Sequence, residues 1–400
     1  MTTPWTSQSI TVLKVSLKGL RRRWWPSLNL IVGTASVVGV LVVLLSIAAG
    51  YTHAMNMTGS ADNIIVMRSG GNSELESSLS GAQAQLIKRA AAVSHDEDGA
   101  PMAAAELYAI ASIPDDTTGD PRNVAVRGVE PMSYQLRHQW HLARGRKPEP
   151  GRREVLIGRR AQQSFPHLVM GSQVAIADGQ WRVVGVFEAD GGVVESELWA
   201  DAPMLQSALQ RGDNVQVVYA RAVSTGGAAG LSSELARDPR LDVTAETEAD
   251  YYQKQSGQMG RFVKTLGYSI AAMMGLAALF AALNAGTSAT SSRTREIATL
   301  MALGIDDRAI AMSVLAESVL LALIGGVLGS AVAYLLFNGH IASTFFYSRN
   351  FSQVVFAFTV TGGVLVQAVV GALLIGVIGG MMPALRVTRM PVSQALAVRR

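Results

Sequence analysis

The sequence predicts a membrane protein: α-helical with four transmembrane helices, plus a large α+β extracytoplasmic domain between the first and second spans. Three observations carry that prediction. Hydrophobic residues make up 49% of the 400 and charged residues only 16%, whereas soluble domains carry about 25% charged residues. Four stretches are apolar over the roughly 20 residues that a helix needs to cross a bilayer core of about 30 Å. The formal charge of +4 conceals two parts of opposite sign: residues 51–260 hold 19 Lys and Arg against 26 Asp and Glu, and the remainder holds 15 against 4. Cysteine is absent, which excludes a disulfide framework, a thiolate metal site and a cysteine nucleophile.

Residues 1–26 are expected to form a cytoplasmic amphipathic helix. Ile10, Leu13, Leu17 and Leu20 recur at helical spacing, with Lys14, Lys18 and Arg21 between them, the pattern of a helix lying in the membrane surface. Trp24 and Trp25 then fall at headgroup level. The first span is expected over 27–50. Leu28–Ala49 carries no charge and exceeds the 7–15-residue apolar region of a cleavable signal, so it reads as a retained signal anchor. The second span is expected over 261–286, the third over 310–337, interrupted only by Glu317, and the fourth over 354–382.

Orientation follows from the Lys and Arg that flank the spans. Lys14, Lys18 and Arg21–Arg23 precede the first; Arg293, Arg295 and Arg308 lie between the second and third; Arg386, Arg389, Arg399 and Arg400 follow the fourth. Both termini, the 287–309 segment and the 383–400 tail are therefore expected in the cytoplasm. The 51–260 domain and the short 338–353 loop are expected to face outward. The basic run Arg21–Arg23 beside a span reads as a topology signal, and no nucleic-acid partner is expected.

Within 51–260, Asn63–Arg68, Val124–Gly128, Val155–Ile157, Val174–Ile176, Trp181–Phe187 and Val215–Ala220 have strand composition. Asp178-Gly179 between apolar runs signals a hairpin turn. Ala82–Ala92, Ala202–Leu209 and Gly226–Arg237 read as helices, and Asp96–Asp98 and Asp115–Asp120 as polar loops. Seven Lys or Arg crowd into Arg144–Arg160 around a Pro/Gly turn, a solvated basic loop. His138 and His141 have HxxH spacing but no third ligand nearby.

No catalytic constellation emerges. The sequence holds no G-x-x-x-x-G-K-[ST], H-E-x-x-H or G-x-S-x-G, and Gly70-Gly71, Gly191-Gly192 and Gly226-Gly227 are turn signals. The chain is expected to be a non-catalytic subunit that binds no cofactor or metal. A membrane-anchored enzyme is remote for want of any acid–base or nucleophile cluster.

Arg293–Gly304 reads RTREIATLMALG and runs directly into the third span. Ile297, Leu300, Met301 and Leu303 recur at helical spacing, with Arg293, Arg295 and Glu296 at the start. With the AESVLLALIGGVLGSAVAYLL that follows, this segment resembles the FtsX-like/MacB permease family of ABC transporters. PALRVTRMPVSQAL (Pro383–Leu396) resembles that family's ending, with Val387 in place of the usual small residue and Gln394 in place of the usual acidic one. VAVRGVEP, LARGRKPEPGRREVLIGRRAQQSF and MGSQVAIADGQWRVVGVFE resemble the family's outer domain in order and spacing. The resemblance implies that this domain comprises a porter-like part and a smaller β-rich part. It also implies a dimer with a second permease copy or paralogue, each bound to a cytoplasmic ABC ATPase that holds ATP and Mg.

In family terms 287–309 is the coupling helix that meets the ATPase, with Leu300 and Leu303 as apolar anchors, Arg295 and Glu296 as polar contacts, and Arg293 and Gly304 at its ends. ATP-driven motion would pass along the second span to the outer domain, a mechanism termed mechanotransmission, and export a hydrophobic or amphiphilic substrate. A periplasmic adaptor and an outer-membrane duct are possible further partners. The alternative is an FtsX-like scaffold that passes the stroke to a cell-wall hydrolase and transports nothing. Within the membrane, Gly325, Gly329 and Ala333 form a small-residue stripe suited to close helix packing. Glu317, costly in hydrocarbon, lies roughly 14 Å along the helix from Arg308, so it reads as a carboxylate paired near the cytoplasmic interface. Gln367 is expected to bond between helices, and His53 to face solvent.

Overall fold

The computed structural model describes residues 24–114, 121–223, 227–292, 294–343 and 355–388. The expected surface helix before Trp24, the loop Asp115–Asp120, Arg293 and the tail beyond Thr388 lie outside the described residues. The chain divides into a membrane unit (Met1–Ala49, Gly260–His340, Phe358–Arg400) and an outer unit (Gly50–Met259, Ile341–Ala357).

Helix α1 (Trp24–Thr58) does not stop at the expected residue 50. Nothing from Tyr51 to Met57 breaks a helix, and it ends where Thr58 turns its hydroxyl back onto the Ala54 carbonyl at 3.0 Å, just before Gly59.

The outer unit is built on β1 (Asn63–Arg68), α2 (Gly81–Lys88), β2 (Ala103–Pro114), β3 (Pro121–Val129), α3 (Ser133–Leu136), β4 (His141–Gly145), β5 (Glu154–Gly158), α4 (Arg159–Ser164), β6 (Gln173–Ile176), β7 (Gly179–Glu188), β8 (Glu197–Asp201), α5 (Ala202–Ala208), β9 (Val217–Arg221), α6 (Ala228–Leu235) and β10 (Val243–Thr247). Its strands form one sheet in the order β10-β1-β9-β2-β3-β8-β5-β7-β4, with β6 on β7. The sheet is mostly antiparallel, but β3 runs parallel to β8 and β5 parallel to β7.

The sequence reading lacked β2, β4, β8 and β10. The long β2 (AAAELYAIASIP) is alanine-rich, and alanine is poor in strand propensity. The sheet selects it because Leu107, Ala109, Ala111 and Ile113 alternate with outward residues. The hairpin turn also sits one residue earlier than expected. Gly179 pairs with Ile176, so the loop is Ala177-Asp178, with Ala177 at φ +51°.

One face of the sheet carries two apolar cores. Leu107, Val126, Val155, Ile157, Trp181, Val183 and Leu205 fill the first, Ile64, Val66, Ile87, Val93, Val218 and Leu231 the second. Strand β2 contributes Ala103 and Ala105 to the second core and Leu107 onward to the first.

The membrane unit holds α7 (Glu248–Ser292) from Gly260 onward, α8 (Thr294–Ala302), α9 (Asp307–Phe337) and α10 (Gly362–Thr388). Together with α1, the three long helices give four apolar enough to cross a membrane. The expected second span is the middle of an unbroken 45-residue helix. The expected 287–309 segment is not one helix: it contains the end of α7, all of α8 and the start of α9. Gly304, at φ +87°, takes the left-handed conformation that stops α8, and the Asp306 side chain accepts the Arg308 N–H at 2.9 Å to start α9.

The fourth span also begins later than the expected residue 354. Val355–Ala357 forms a strand, β12, paired with β11 (Ile341–Ser343), and the helix starts at Gly362. A short run of branched and aromatic residues satisfies a hydropathy window equally well as strand or helix, and here the pairing partner decides.

Candidate functional site

The face of α8 that meets its own chain is set by helical spacing. Ile297 and Ala298 are buried, and Ile297 packs with Ile310 of α9 and Val387 of α10. Leu300, Met301, Ile305 and Val314 lie around that cluster, partly buried. The opposite face leaves Arg295, Glu296 and Thr299 exposed, and Leu303 is 75% exposed. Of the two expected apolar anchors, Leu303 thus faces outward, while Leu300 is engaged with the chain's own cluster. Arg295 and Glu296 are exposed, Gly304 forms the turn that ends the helix, and Arg293 lies outside the described residues.

The stripe on α9 packs within the chain. A Cβ at Gly325 would come 2.5 Å from the Ile31 carbonyl oxygen, and one at Gly329 would overlap the Ala35 carbonyl. Ala333 is buried with Val38, Leu41 and Val42. Without side chains at these two glycines, α1 approaches α9 backbone to backbone, the contact that lipid-embedded helices rely on in place of a hydrophobic driving force. Glu317 is half-buried on α9, and Arg308 is exposed in its first turn. Gln367 of α10 accepts the Tyr268 hydroxyl of α7 at 2.8 Å.

A charged cluster in the outer unit escaped the sequence reading. Glu106 alternates with Ala105 and Leu107, so it faces away from the two apolar cores. Register puts Arg127 opposite both Tyr108 and Trp199 on that same face. Arg127, 1% exposed, donates from Nε and Nη2 to the two oxygens of Glu197 at 2.7 and 2.8 Å, and from Nη1 to Glu74 at 2.7 Å and Glu106 at 3.0 Å. Arg137 makes a second bidentate pair with Glu106, one arm at 2.7 Å. The Tyr219 hydroxyl donates to Glu74 at 2.6 Å and the Trp199 indole to Glu197 at 2.8 Å.

Burial alone would push the Glu106 carboxyl up, but the Arg137 and Arg127 guanidiniums outweigh it and hold it below the usual carboxylate range. Burial works against the charge on Arg127 too, and Glu197 and Glu74 more than offset it. The cluster joins β2, β3, β8, β9, the turn at Glu74 and the end of α3. Its arrangement is suited to fixing backbone positions, since every carboxylate oxygen named is engaged by a donor. The available signal in the sequence was a lone charge inside an apolar run: Glu106 in AAAELYAI and Arg127 in VAVRGV.

Other candidates disperse. His138 Nε2 lies 2.6 Å from Arg221 Nη2, and His141 Nε2 lies 3.4 Å from Glu188 at the start of β4, so HxxH is not presented on one helix face. His53 is exposed. The basic stretch is partly neutralised: Arg146 pairs with Glu154 at 2.6 Å, Arg152 with Glu149 at 2.9 Å, and Arg159 with Glu188. Lys147 lies over the Tyr134 ring at 4.5 Å. Among the described residues no group of three or more His, Cys, Asp or Glu is placed to hold a metal ion.

Comparison with known proteins gives matches to two families. Residues 27–237 match the MacB-like periplasmic core domain and residues 268–392 the FtsX-like permease C-terminal region. The chain is similar to a macrolide export ATP-binding/permease protein MacB of Nitrobacter winogradskyi, 26% identical over 387 residues, covering 92% of this chain and 57% of that protein. It therefore spans a little over half the length of that curated relative. Among solved structures, the periplasmic region of MacB from Actinobacillus actinomycetemcomitans aligns with TM-score 0.38 at 12% identity, over 50% of this chain and 94% of that one. The extracellular domain of the transporter YknZ from Gram-positive bacteria aligns with TM-score 0.34 at 13% identity, over 46% of this chain and all of that one. With a periplasmic core domain of one kind and a permease region of the other covering most of its length, the chain belongs to the MacB/FtsX-type family of ABC transporter permeases.

Proposed function

We propose that the chain is the transmembrane permease subunit of a MacB/FtsX-type ABC transporter. A separate cytoplasmic ATPase subunit, binding ATP and Mg, drives movement of the periplasmic domain, and this movement exports a hydrophobic or amphiphilic substrate. The permease works as a dimer with a second copy or a paralogue in the bacterial inner membrane, both termini in the cytoplasm. An adaptor and an outer-membrane duct complete the path where the cargo must leave the cell envelope.

The observation that carries this reading is the geometry of α8. It is a short helix between two spans, seated on α9 and α10 by Ile297 and carrying Leu303, Arg295 and Glu296 at exposed positions. A docking partner would bury the exposed Leu303. The test is co-purification with the cognate ATPase: Leu303→Asp should abolish it while the protein remains inserted. Retained binding would place the ATPase contact elsewhere on the chain.

Orientation is tested separately. An impermeant thiol reagent added from outside should label Ser232→Cys but not Thr294→Cys, against a background free of native cysteine. The reverse pattern would invert the topology.

A further inference from the structure

We propose that α9 and α10, closed at their far ends by the β11–β12 hairpin, form a second route by which the ATPase stroke reaches the outer unit, in addition to α7. The proposal rests on the reading of α8 as the coupling helix and names the elements that carry its motion. Phe356 and Val387 are the positioning residues at its two ends.

The route begins behind α8. Ile297 is packed on Ile310 of α9 and on Val387 of α10, which is fully buried. A close-packed interior has low compressibility and transmits strain, so a push on Leu303 reaches the third and fourth spans directly. Val387 is also the position where this chain carries a larger side chain than the family ending usually has, and the structure spends that bulk on the contact with Ile297.

The two spans then behave as one body. A Cβ at Gly326 would come 2.6 Å from Ala372 Cβ, one at Gly376 2.8 Å from Val319 Cα, and one at Gly380 2.7 Å from Ser318 Cβ. Contacts this tight, where residues 318–326 of α9 meet 372–380 of α10, leave little room for sliding there. By contrast, 18% of the apolar stretch of α7 is buried within the chain, against 33% for α9 and 39% for α10.

At the far end the described residues are paired. The Gly339 N–H donates to the Phe358 carbonyl at 3.0 Å and the Phe358 N–H to the His340 carbonyl at 2.9 Å. The ladder continues as Ile341↔Ala357, Ala342↔Phe356 and Ser343↔Val355. These strands belong to the outer unit. Phe356 is 3% exposed and meets the Tyr51 ring edge-on at 5.9 Å. A side chain at Gly50 would overlap the Ala357 carbonyl, and β12 also packs on α4 and on the turn Val193–Ser196. The two described strands of the connection between the third and fourth spans thus belong with the outer unit's fold.

The test uses the full chain with its cognate ATPase in lipid nanodiscs, carrying spin labels at Ser233→Cys and Asp307→Cys, both exposed sites. The distance between labels is measured without nucleotide and with ATP plus vanadate. The parent chain should shift its distance. Phe356→Ala should keep the resting distance, ATPase binding and ATP turnover, yet lose most of the shift, and Phe356→Leu should restore it; Val387→Ala, which loosens the seat of α8, should lose the shift as well. A full shift in both alanine variants would overturn this route and leave the unbroken helices α1 and α7 as the carriers. No shift in the parent chain itself would instead overturn the underlying reading of an ATP-driven movement. A variant whose resting distance changes is set aside in favour of the one at the other end of the path.

Discussion

In the outer unit, two guanidiniums and three carboxylates share one buried face of a β-sheet. In the membrane unit, the closest approaches are backbone against glycine, as where α9 meets α1 at Gly325 and Gly329. The difference follows from the surroundings of each. A water-exposed domain gains core stability from removing apolar area, about 25 cal/mol per Å², and can then tolerate a costly ionic cluster provided every charge is matched. Spans in lipid gain nothing from hiding leucine, so their association depends on how closely backbones approach. The ionic cluster is therefore sensitive to losing a partner, and the α1–α9 contact to gaining an atom.

That contrast can be broken most severely at Arg127. Arg127→Ala leaves Glu74, Glu106 and Glu197 buried without their shared cation, a loss of about 3–5 kcal/mol. It should lower the melting transition read by the fluorescence of Trp181 and Trp199, both in the outer unit. An unchanged melt would mean that the cluster is not ionised as the hydrogen bonds imply.

The next effect belongs to the membrane unit. Gly329→Val drives a side chain into the backbone of Ala35 and should cost about 1–3 kcal/mol, measured as the fraction monodisperse after heating in detergent. Gly371→Ala is the control, because its nearest neighbour is Leu41 Cδ2 at 3.8 Å. Equal loss from both would remove the close approach as the cause.

A smaller effect is expected with pH. The folded state depresses the Glu106 pKa, so its contribution is fully present above the unfolded carboxylate value of about 4.3. It is lost as pH falls from there through the folded value. The outer unit's melting temperature should drop over that acid range, and Glu106→Gln should flatten the drop while lowering stability at neutral pH. The smallest effect is on the free face of α8. Leu303→Asp should leave thermal stability within about 0.5 kcal/mol, whereas Leu300→Asp should lower it, since that side chain is engaged with the cluster around Ile297. Equal melts would place both leucines on the free face.

Much of this architecture was legible where the information is local. Asn63–Arg68 and Trp181–Phe187 read as strands because branched and aromatic residues crowd a short run. The stretches around the four long helices read as spans because hydropathy sums along one chain segment. The reading lost accuracy where a partner decides. The alanine-rich β2 became a strand through its neighbours in the sheet, and residues 355–357 left the expected fourth span because β11 was there to pair with them. On α8, the spacing identified an amphipathic helix, but only packing separated Leu300 from Leu303.

The sequence by itself determined that the chain crosses the membrane, how its charge divides and which family its motifs resemble, since these depend on composition and on patterns within short segments. Tertiary structure decided which polar groups became partners. Arg127 meets Glu74 across 53 residues of chain and Glu197 across 70, and the strands Ile341–Ser343 and Val355–Ala357 between two spans joined the outer unit. Those contacts exist only once the chain has closed long loops, and no local propensity encodes which distant charge or strand will be waiting there.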